Sequence, residues 1–400
     1  MRDVHRRTRR TVARDDRPFP ASLAPRAARD GAFARRPVAV TAPCQPDDDW
    51  APESLGCSSQ AASNQGPAAK PAAQTGVQTS VQPASRRVWP LLLLALATLV
   101  PVFVLARSAP DPHDSAGQLE RVWAGPGHGQ GQFEKPRAMA IGPDGLLYIV
   151  DKTARIQVFD QDGRFVRGWR TPEWKNGKPT GLSFDRQGRL MVADTHYYRI
   201  LWYQTDGTLI PERTLGGTLG HGPGEFGLVT DTVEDSRGNV YVAEYGDYDR
   251  IQKFSPDGRF LFEWGGHGSQ PGQFIRPQNL AVDELDRIWV ADACNDRIQV
   301  FDATGDSAKL VDCWGVRGDQ PGQLRYPYDL LLDPSGHVYV CEFGNHRIQK
   351  FTRDGRSVGT WGTRGRAPGE LFNPWAIVRD DRGRLHILDT YNHRVQRVRF

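Results

Sequence analysis

Cysteine is scarce in this sequence, and stretches with helical periodicity are missing beyond residue 117. The five cysteines of the 400-residue chain are Cys44, Cys57, Cys294, Cys313 and Cys341. Their spacing is irregular, so neither a disulfide framework nor a Cys/His zinc module is implied. Cys341 stands where sister segments have Ala193, Ala243 and Ala291, which reads as a small buried apolar position. A basic excess is also lacking where it would matter. The chain totals +4, but residues 1–116 hold 15 Lys/Arg and 10 Asp/Glu, which leaves 36 basic and 37 acidic residues for 117–400. That balance argues against a reader of phosphate backbones, so nucleic acid is not an expected partner.

Residues 1–87 contain few aliphatics. They begin "MRDVHRRTRRTVARDDRPFP" and continue into "AASNQGPAAKPAAQTGVQTSVQPAS", a composition that buries too little apolar surface to offset ordering entropy and predicts a disordered tail. Next comes "VWPLLLLALATLVPVFVLA", 88–106, with no charge in 19 residues. As a helix it would reach about 28 Å, close to the roughly 30 Å hydrocarbon core. Arg86 and Arg87 precede this stretch, so the positive-inside rule predicts a cytoplasmic tail, one transmembrane helix, a short linker at 107–116 and an extracytoplasmic domain at 117–400. The Arg/Ala/Pro-rich composition fits a bacterial inner membrane with a periplasmic domain.

The region 117–400 is built on a repeat. "RIQVF", "RILWY", "RIQKF", "RIQVF", "RIQKF" and "RVQRV" begin at Arg155, Arg199, Arg250, Arg297, Arg347 and Arg394, in steps of 44 to 51 residues. Each unit reads as four short strands separated by turns such as "GPDG", "DRQG", "DSRG" and "DPSG". Six such units predict an all-β, six-bladed β-propeller. The sixth unit ends at Phe400 one strand short. "QLERVWAG", 118–125, has the Trp-plus-Gly ending of the outer strands and is expected to pair with 394–400, closing the ring and covering two strand edges.

The segments "CEFGNHRIQKF" and "LDTYNHRVQRV", with linkers "GHGSQPGQFIRP", "RGDQPGQLRYP" and "RGRAPGELFNP", resemble NHL repeats. The resemblance spans about 280 residues. It implies a six-bladed propeller of the kind that serves mostly as a binding platform. Its functional groups are extracellular ligand- or protein-binding domains, RNA- or protein-binding domains of ubiquitin-ligase proteins, and a lyase that releases peptide amides.

In every unit an acid ends the second strand and an arginine follows. The pairs are Asp151 with Arg155, Asp194 with Arg199, Glu244 with Arg250, Asp292 with Arg297, Glu342 with Arg347, and Asp389 with Arg394. Being common to all blades, they read as turn clamps in which a carboxylate accepts a bidentate guanidinium. His346 and His393 alternate with Asp296 and Asp249, which reads as a polar surface position. His128, His221 and His267 recur in linkers of separate blades, too far apart to converge on one zinc ion.

Function is expected where the units differ, at the starts of the inner strands around the channel mouth. Those starts supply Arg137, Thr180, Asp231, Gln278, Asn279, Tyr328, Asp329 and Trp375, a mixture of aromatic and polar groups suited to a protein, peptide or glycan ligand. No cofactor is required by this reading. The alternative is an enzyme: Asp231, Asn279 and Asp329 could hold a divalent cation such as calcium or zinc, resembling the metal site of six-bladed lactonases. No histidine stands at the six starts, as a zinc-dependent amidating lyase would require.

Overall fold

In five of the six repeats the turn joining the first two strands is fixed by its leading aspartate, Asp185, Asp235, Asp283, Asp333 or Asp380. Asp185 Oδ1 accepts the backbone N–H groups of Gln187 and Arg189 at 3.0 and 2.9 Å. Asp235 does the same for Arg237 and Asn239, both at 2.9 Å. These side chains satisfy turn donors locally and reverse the strand within a few residues. The computed structural model describes residues 117–400. The tail expected over 1–87, the span over 88–106 and the linker over 107–116 lie outside the described residues. Among the described residues no helix is long and apolar enough to cross a membrane.

The strands form six antiparallel sheets of four, each a blade of a β-propeller. The inner strands run Pro136–Ile141, Gly181–Phe184, Leu228–Glu234, Pro277–Val282, Pro327–Leu332 and Ala376–Arg379. In blade six the outermost strand is Gln118–Trp123, paired with Arg394–Arg399. Gln118 faces Arg399 and Trp123 faces Val395. The first described strand therefore closes the ring against the last. That closing strand runs from the face carrying the Asp-led turns toward the opposite face, where the linkers between blades and the acid-to-arginine turns lie.

Second strands such as Leu147–Asp151 and Leu190–Asp194 are buried along their whole length, because each lies between two neighbouring blades. Six apolar clusters fill the spaces between them; one joins Tyr148, Val150 and Ile156 of blade one to Leu190 and Val192 of blade two. Each such side chain contributes roughly 1.5–3 kcal/mol on burial. The linkers add a wedge to five blades: Phe133, Phe226, Phe274, Leu324 and Leu371 are all fully buried. Gly265, at φ +110°, allows this approach, since a Cβ there would lie 2.6 Å from the Phe274 ring.

Blade two departs from the pattern. Its outer strand is the two-residue Leu215–Gly216, preceded by a 3-10 turn at Pro211–Arg213. Its linker, 171–180, carries no buried Phe or Leu wedge; the large apolar residue there, Trp174, is exposed and sits under Arg170.

Candidate functional site

The inner-strand starts meet around a central cavity of about 280 Å³, and its lining includes all eight residues singled out above, from Arg137 to Trp375. Two layers are visible. The layer at the mouth consists of Arg137, Thr180, Thr230, Gln278, Tyr328 and Trp375. The layer beneath it, one residue further along each strand, consists of Ala138, Gly181, Asp231, Asn279, Asp329 and Ala376.

The lower layer is lopsided. On blades three to five its side chains reach into the next blade. Asp231 Oδ2 accepts the Leu280 N–H at 3.0 Å and the Asn279 amide at 2.9 Å. Asn279 Oδ1 accepts the Leu330 N–H at 3.1 Å. Asp329 Oδ2 accepts the Ile377 N–H at 2.7 Å. On blades six, one and two the corresponding Ala376, Ala138 and Gly181 have no side-chain oxygen. Gly181 is dictated by packing as well, since a Cβ there would lie 2.6 Å from Asp231 Oδ1. A polar arc thus faces an arc of small residues, and the small arc leaves the room.

Above the small arc stand the bulky mouth residues. The Arg137 guanidinium lies 5.4 Å over the Trp375 ring. Trp375 meets Tyr328 edge-on at 4.9 Å, and Tyr328 stacks on Phe343 at 4.3 Å. Arg276, which the sequence reading missed, completes this wall. It lies 4.5 Å over Tyr245 and 5.5 Å over Tyr328, and its Nε donates to Gln278 Oε1 at 2.8 Å. The signal available for it was its place two residues before Gln278, in a linker slot that varies from Lys135 and Lys178 to Leu228, Tyr326 and Asn373 in the other blades. Thr180 is largely committed to structure, with its hydroxyl donating to the Thr230 carbonyl at 3.0 Å.

Burial governs the charge state of the polar arc. It pushes Asp231 up to about 7, against the opposing hydrogen bonds from Leu280, Thr232 and Asn279. Asp329 is raised well above the usual carboxylate range, first by burial and further by the nearby Asp231. Burial therefore favours the protonated form of both carboxyls, with Asp231 divided between its two forms near neutral pH; a protonated carboxyl donates as well as accepts.

All six acid–arginine pairs are in contact, from 2.5 Å in Asp151–Arg155 to 2.9 Å in Asp194–Arg199. Only Arg347 bonds both oxygens of its acid, Glu342, at 2.7 and 3.4 Å; the other five pairs differ from a two-toothed fork. In blade four, Arg297 Nε takes Asp292 at 2.7 Å while Nη1 and Nη2 donate to the linker carbonyls of Ser269 and Gln273, both at 2.8 Å. Gln299 donates to the same Gln273 carbonyl. The pair pins the linker, and through it the wedge, to the blade.

The residues between acid and arginine also differ from a surface reading. Asp249, Asp296 and His346 are buried. Asp249 accepts the Arg276 N–H and Asp296 the Tyr326 N–H, each at 2.8 Å; His346 Nδ1 accepts the Asn373 N–H at 3.0 Å, and His393 Nδ1 the Lys135 N–H at 3.1 Å. Each bond crosses to the following blade. Their polarity serves a junction, with the acceptor facing an N–H that has left its strand ladder. Of the other residues considered, Cys341 is fully buried, Cys294 half-buried and Cys313 exposed, all as free thiols. Among the described residues no group of three or more His, Cys, Asp or Glu is arranged to hold a metal ion.

These features define a class, and comparison with known proteins agrees with it. The family "NHL repeat" matches residues 274–301 and 324–351. The chain is a six-bladed β-propeller carrying NHL repeats. It is 30% identical over 173 residues to NHL repeat-containing protein 3 of Mus musculus, covering 40% of this chain and 49% of that protein. It is 37% identical over 131 residues to peptidylglycine alpha-amidating monooxygenase of Rattus norvegicus, covering 31% of this chain and 13% of that protein. The matched part thus spans under half the length of either relative. A solved structure of a Bacteroides thetaiotaomicron protein of unknown function shares the fold, with a TM-score of 0.55 at 12% identity over 71% of this chain and 76% of that one.

Proposed function

We propose that this protein is a membrane-anchored recognition module, displayed outside the cytoplasm, that takes a protein, peptide or glycan ligand at the channel mouth. The observation that carries this reading is the lopsided channel. The polar arc is held by blade-to-blade bonds, while Arg137 and Trp375 overhang the small side chains Ala138 and Ala376. A ligand group inserted there meets an aromatic wall on one side and the buried Asp231, Asn279 and Asp329 on the other, a combination suited to a ring or side chain bearing hydroxyl or amide groups. The uncharged run at 88–106 with its preceding arginines supports the anchor and its orientation.

The test is binding of the full chain to arrays of glycans and peptides, compared with Trp375→Ala. A ligand whose affinity falls at least about tenfold in the variant supports the reading. Equal binding by both proteins overturns it. Orientation is tested separately by protease treatment of intact spheroplasts, which should digest the propeller if it lies outside.

A second reading, a metal-dependent enzyme, is favoured by one observation: Asp231 and Asp329 are close enough for their charges to oppose one another. Their carboxylates and the Asn279 amide are oxygen donors that suit a hard divalent cation, although one oxygen of each carboxylate and the single amide oxygen of Asn279 are engaged in the bonds to the next blade. Melting of the full chain after chelation, and again with calcium, zinc or manganese, decides between the two. At about 100 times its dissociation constant a bound cation adds roughly 2.7 kcal/mol.

A further inference from the structure

Blade two keeps its acid–arginine pair but has lost what the pair serves. In blade four the linker supplies a backbone N–H from Ile275 to Asp292 at 2.8 Å and the Gln273 carbonyl to Arg297 Nη2 at 2.8 Å. Blades one, three, five and six repeat both bonds with their own linkers. In blade two neither exists. Asp194 is fully buried with Oδ1 lacking a hydrogen-bond partner, and Arg199 Nη2 is buried without an acceptor. An orphaned acceptor and an orphaned donor stand where the other five blades bind a stretch of main chain.

Two neighbouring substitutions match this loss. The glutamine that supports the linker carbonyl elsewhere, Gln299 in blade four, is Leu201 here. The phenylalanine that packs against the wedge, Phe301 in blade four, is Tyr203. The Tyr203 side chain is buried and its hydroxyl has no partner. Thr171, at the start of the same linker, is buried with its hydroxyl equally unpartnered. Leaving such groups unsatisfied costs about 1–3 kcal/mol each, so their clustering points to an occupant.

Residues 172–178 lie over the pair: a Cβ on Gly177 would be 3.2 Å from Asp194 Oδ1. Within this cover the Asn176 N–H donates to the Tyr197 hydroxyl at 3.3 Å, and Trp174 lies under Arg170. The cover's tie to the pair is Glu173, whose exposed carboxylate reaches Arg199 Nη1 at 2.7 Å and whose own backbone has φ +55°. A surface ion pair of this kind contributes about 0–1 kcal/mol.

We propose that blade two is a docking site for an extended peptide segment of a partner protein. A backbone N–H of the segment binds Asp194, the carbonyl two residues earlier binds Arg199, and the aromatic or leucine residue between them fills the wedge position beside Tyr203. Residues 172–178 move aside to admit it. The template for this geometry is the chain itself, five times over. The site lies on the same face as the channel mouth but uses none of its residues, so a partner could engage either or both.

The probe is a synthetic peptide of the chain's own blade-four linker, residues 269–277, SQPGQFIRP, titrated calorimetrically into the full-length chain in detergent. Saturable binding is expected, weakened at least about tenfold by Arg199→Ala, as befits loss of a charge-assisted hydrogen bond. Leu201→Gln, which restores the supporting donor, should tighten it by roughly two- to tenfold. Should Arg199→Ala fail to fold, Leu201→Gln keeps the test decisive. Absence of binding, binding unchanged by either variant, or a site holding ordered water and refusing the peptide would each overturn the proposal. Trp375→Ala should leave peptide binding intact, which separates failure of this site from failure of the channel reading.

Discussion

Gln118 and Arg399 face each other across the antiparallel pair that joins the first described strand to the last. Around that pair the ring is sealed by side chains as well as main chain. Arg399 Nε lies 2.9 Å from Glu120, and Trp123 packs on Phe159 at a centroid distance of 4.9 Å. Trp123→Ala should therefore cost about 3–5 kcal/mol, the range for emptying a buried aromatic site. Deleting 117–123 should lower the melting temperature further, since it also uncovers a strand edge. Thermal denaturation of the two variants against the parent checks both; an unchanged midpoint would mean that the strand is dispensable.

The clamps should not be equivalent. Arg297 bonds one acid and three linker carbonyls, whereas Arg199 bonds Asp194 and an exposed glutamate. Removing a partner from a buried pair costs about 3–5 kcal/mol. Urea denaturation should place Arg297→Ala in that range and Arg199→Ala clearly below it.

Asp231 supplies a pH signature. Its folded-state value of about 7 lies above the ordinary value of 3.8, so the folded protein holds a proton that the unfolded chain releases. The contribution of Asp231 to stability is fully present below pH 3.8, is lost as pH rises toward 7, and changes no further above that. The loss amounts to about 4 kcal/mol at most. Asp231→Asn keeps an oxygen for the Leu280 and Asn279 donors and removes the titration. The variant should gain on the parent between pH 4 and 7 in parallel denaturation series; a constant difference would contradict the assignment.

His346 carries the opposite sign. Burial, with help from Arg364 and Arg325, holds it down at about 4, below the ordinary 6.5. The unfolded chain then binds the proton more readily, so stability falls as pH drops from 6.5 to 4, by about 3 kcal/mol at most. His346→Asn can still accept the Asn373 N–H without titrating. It should lose less stability than the parent over that window, as measured by melting at a series of pH values.

Much of the architecture was legible because it is written six times. The turn aspartates, the Trp-plus-Gly strand endings and the missing sixth outer strand each specify a local event. Closure follows from adding up the strands. The channel lining was legible for a related reason: residues at one repeat offset must meet at one radius. The division of labour within it was not. That Asp231 and Asn279 spend an oxygen on the next blade depends on contacts about 50 positions away in sequence, as does the service of Asp249, Asp296 and His346 at blade junctions. The departures Leu201 and Tyr203 were visible in "RILWY", but their meaning rests on a linker that no longer reaches them.

The direction of the closing strand has a consequence for how the protein presents itself. Gln118 enters on the face of the Asp-led turns, and the strand ends at Trp123 on the face of the linkers, where the channel opens. The two openings of the disc are therefore unlike: the strand that seals the ring enters at the Asp-led turns and delivers the chain to the opening ringed by Arg137, Tyr328 and Trp375.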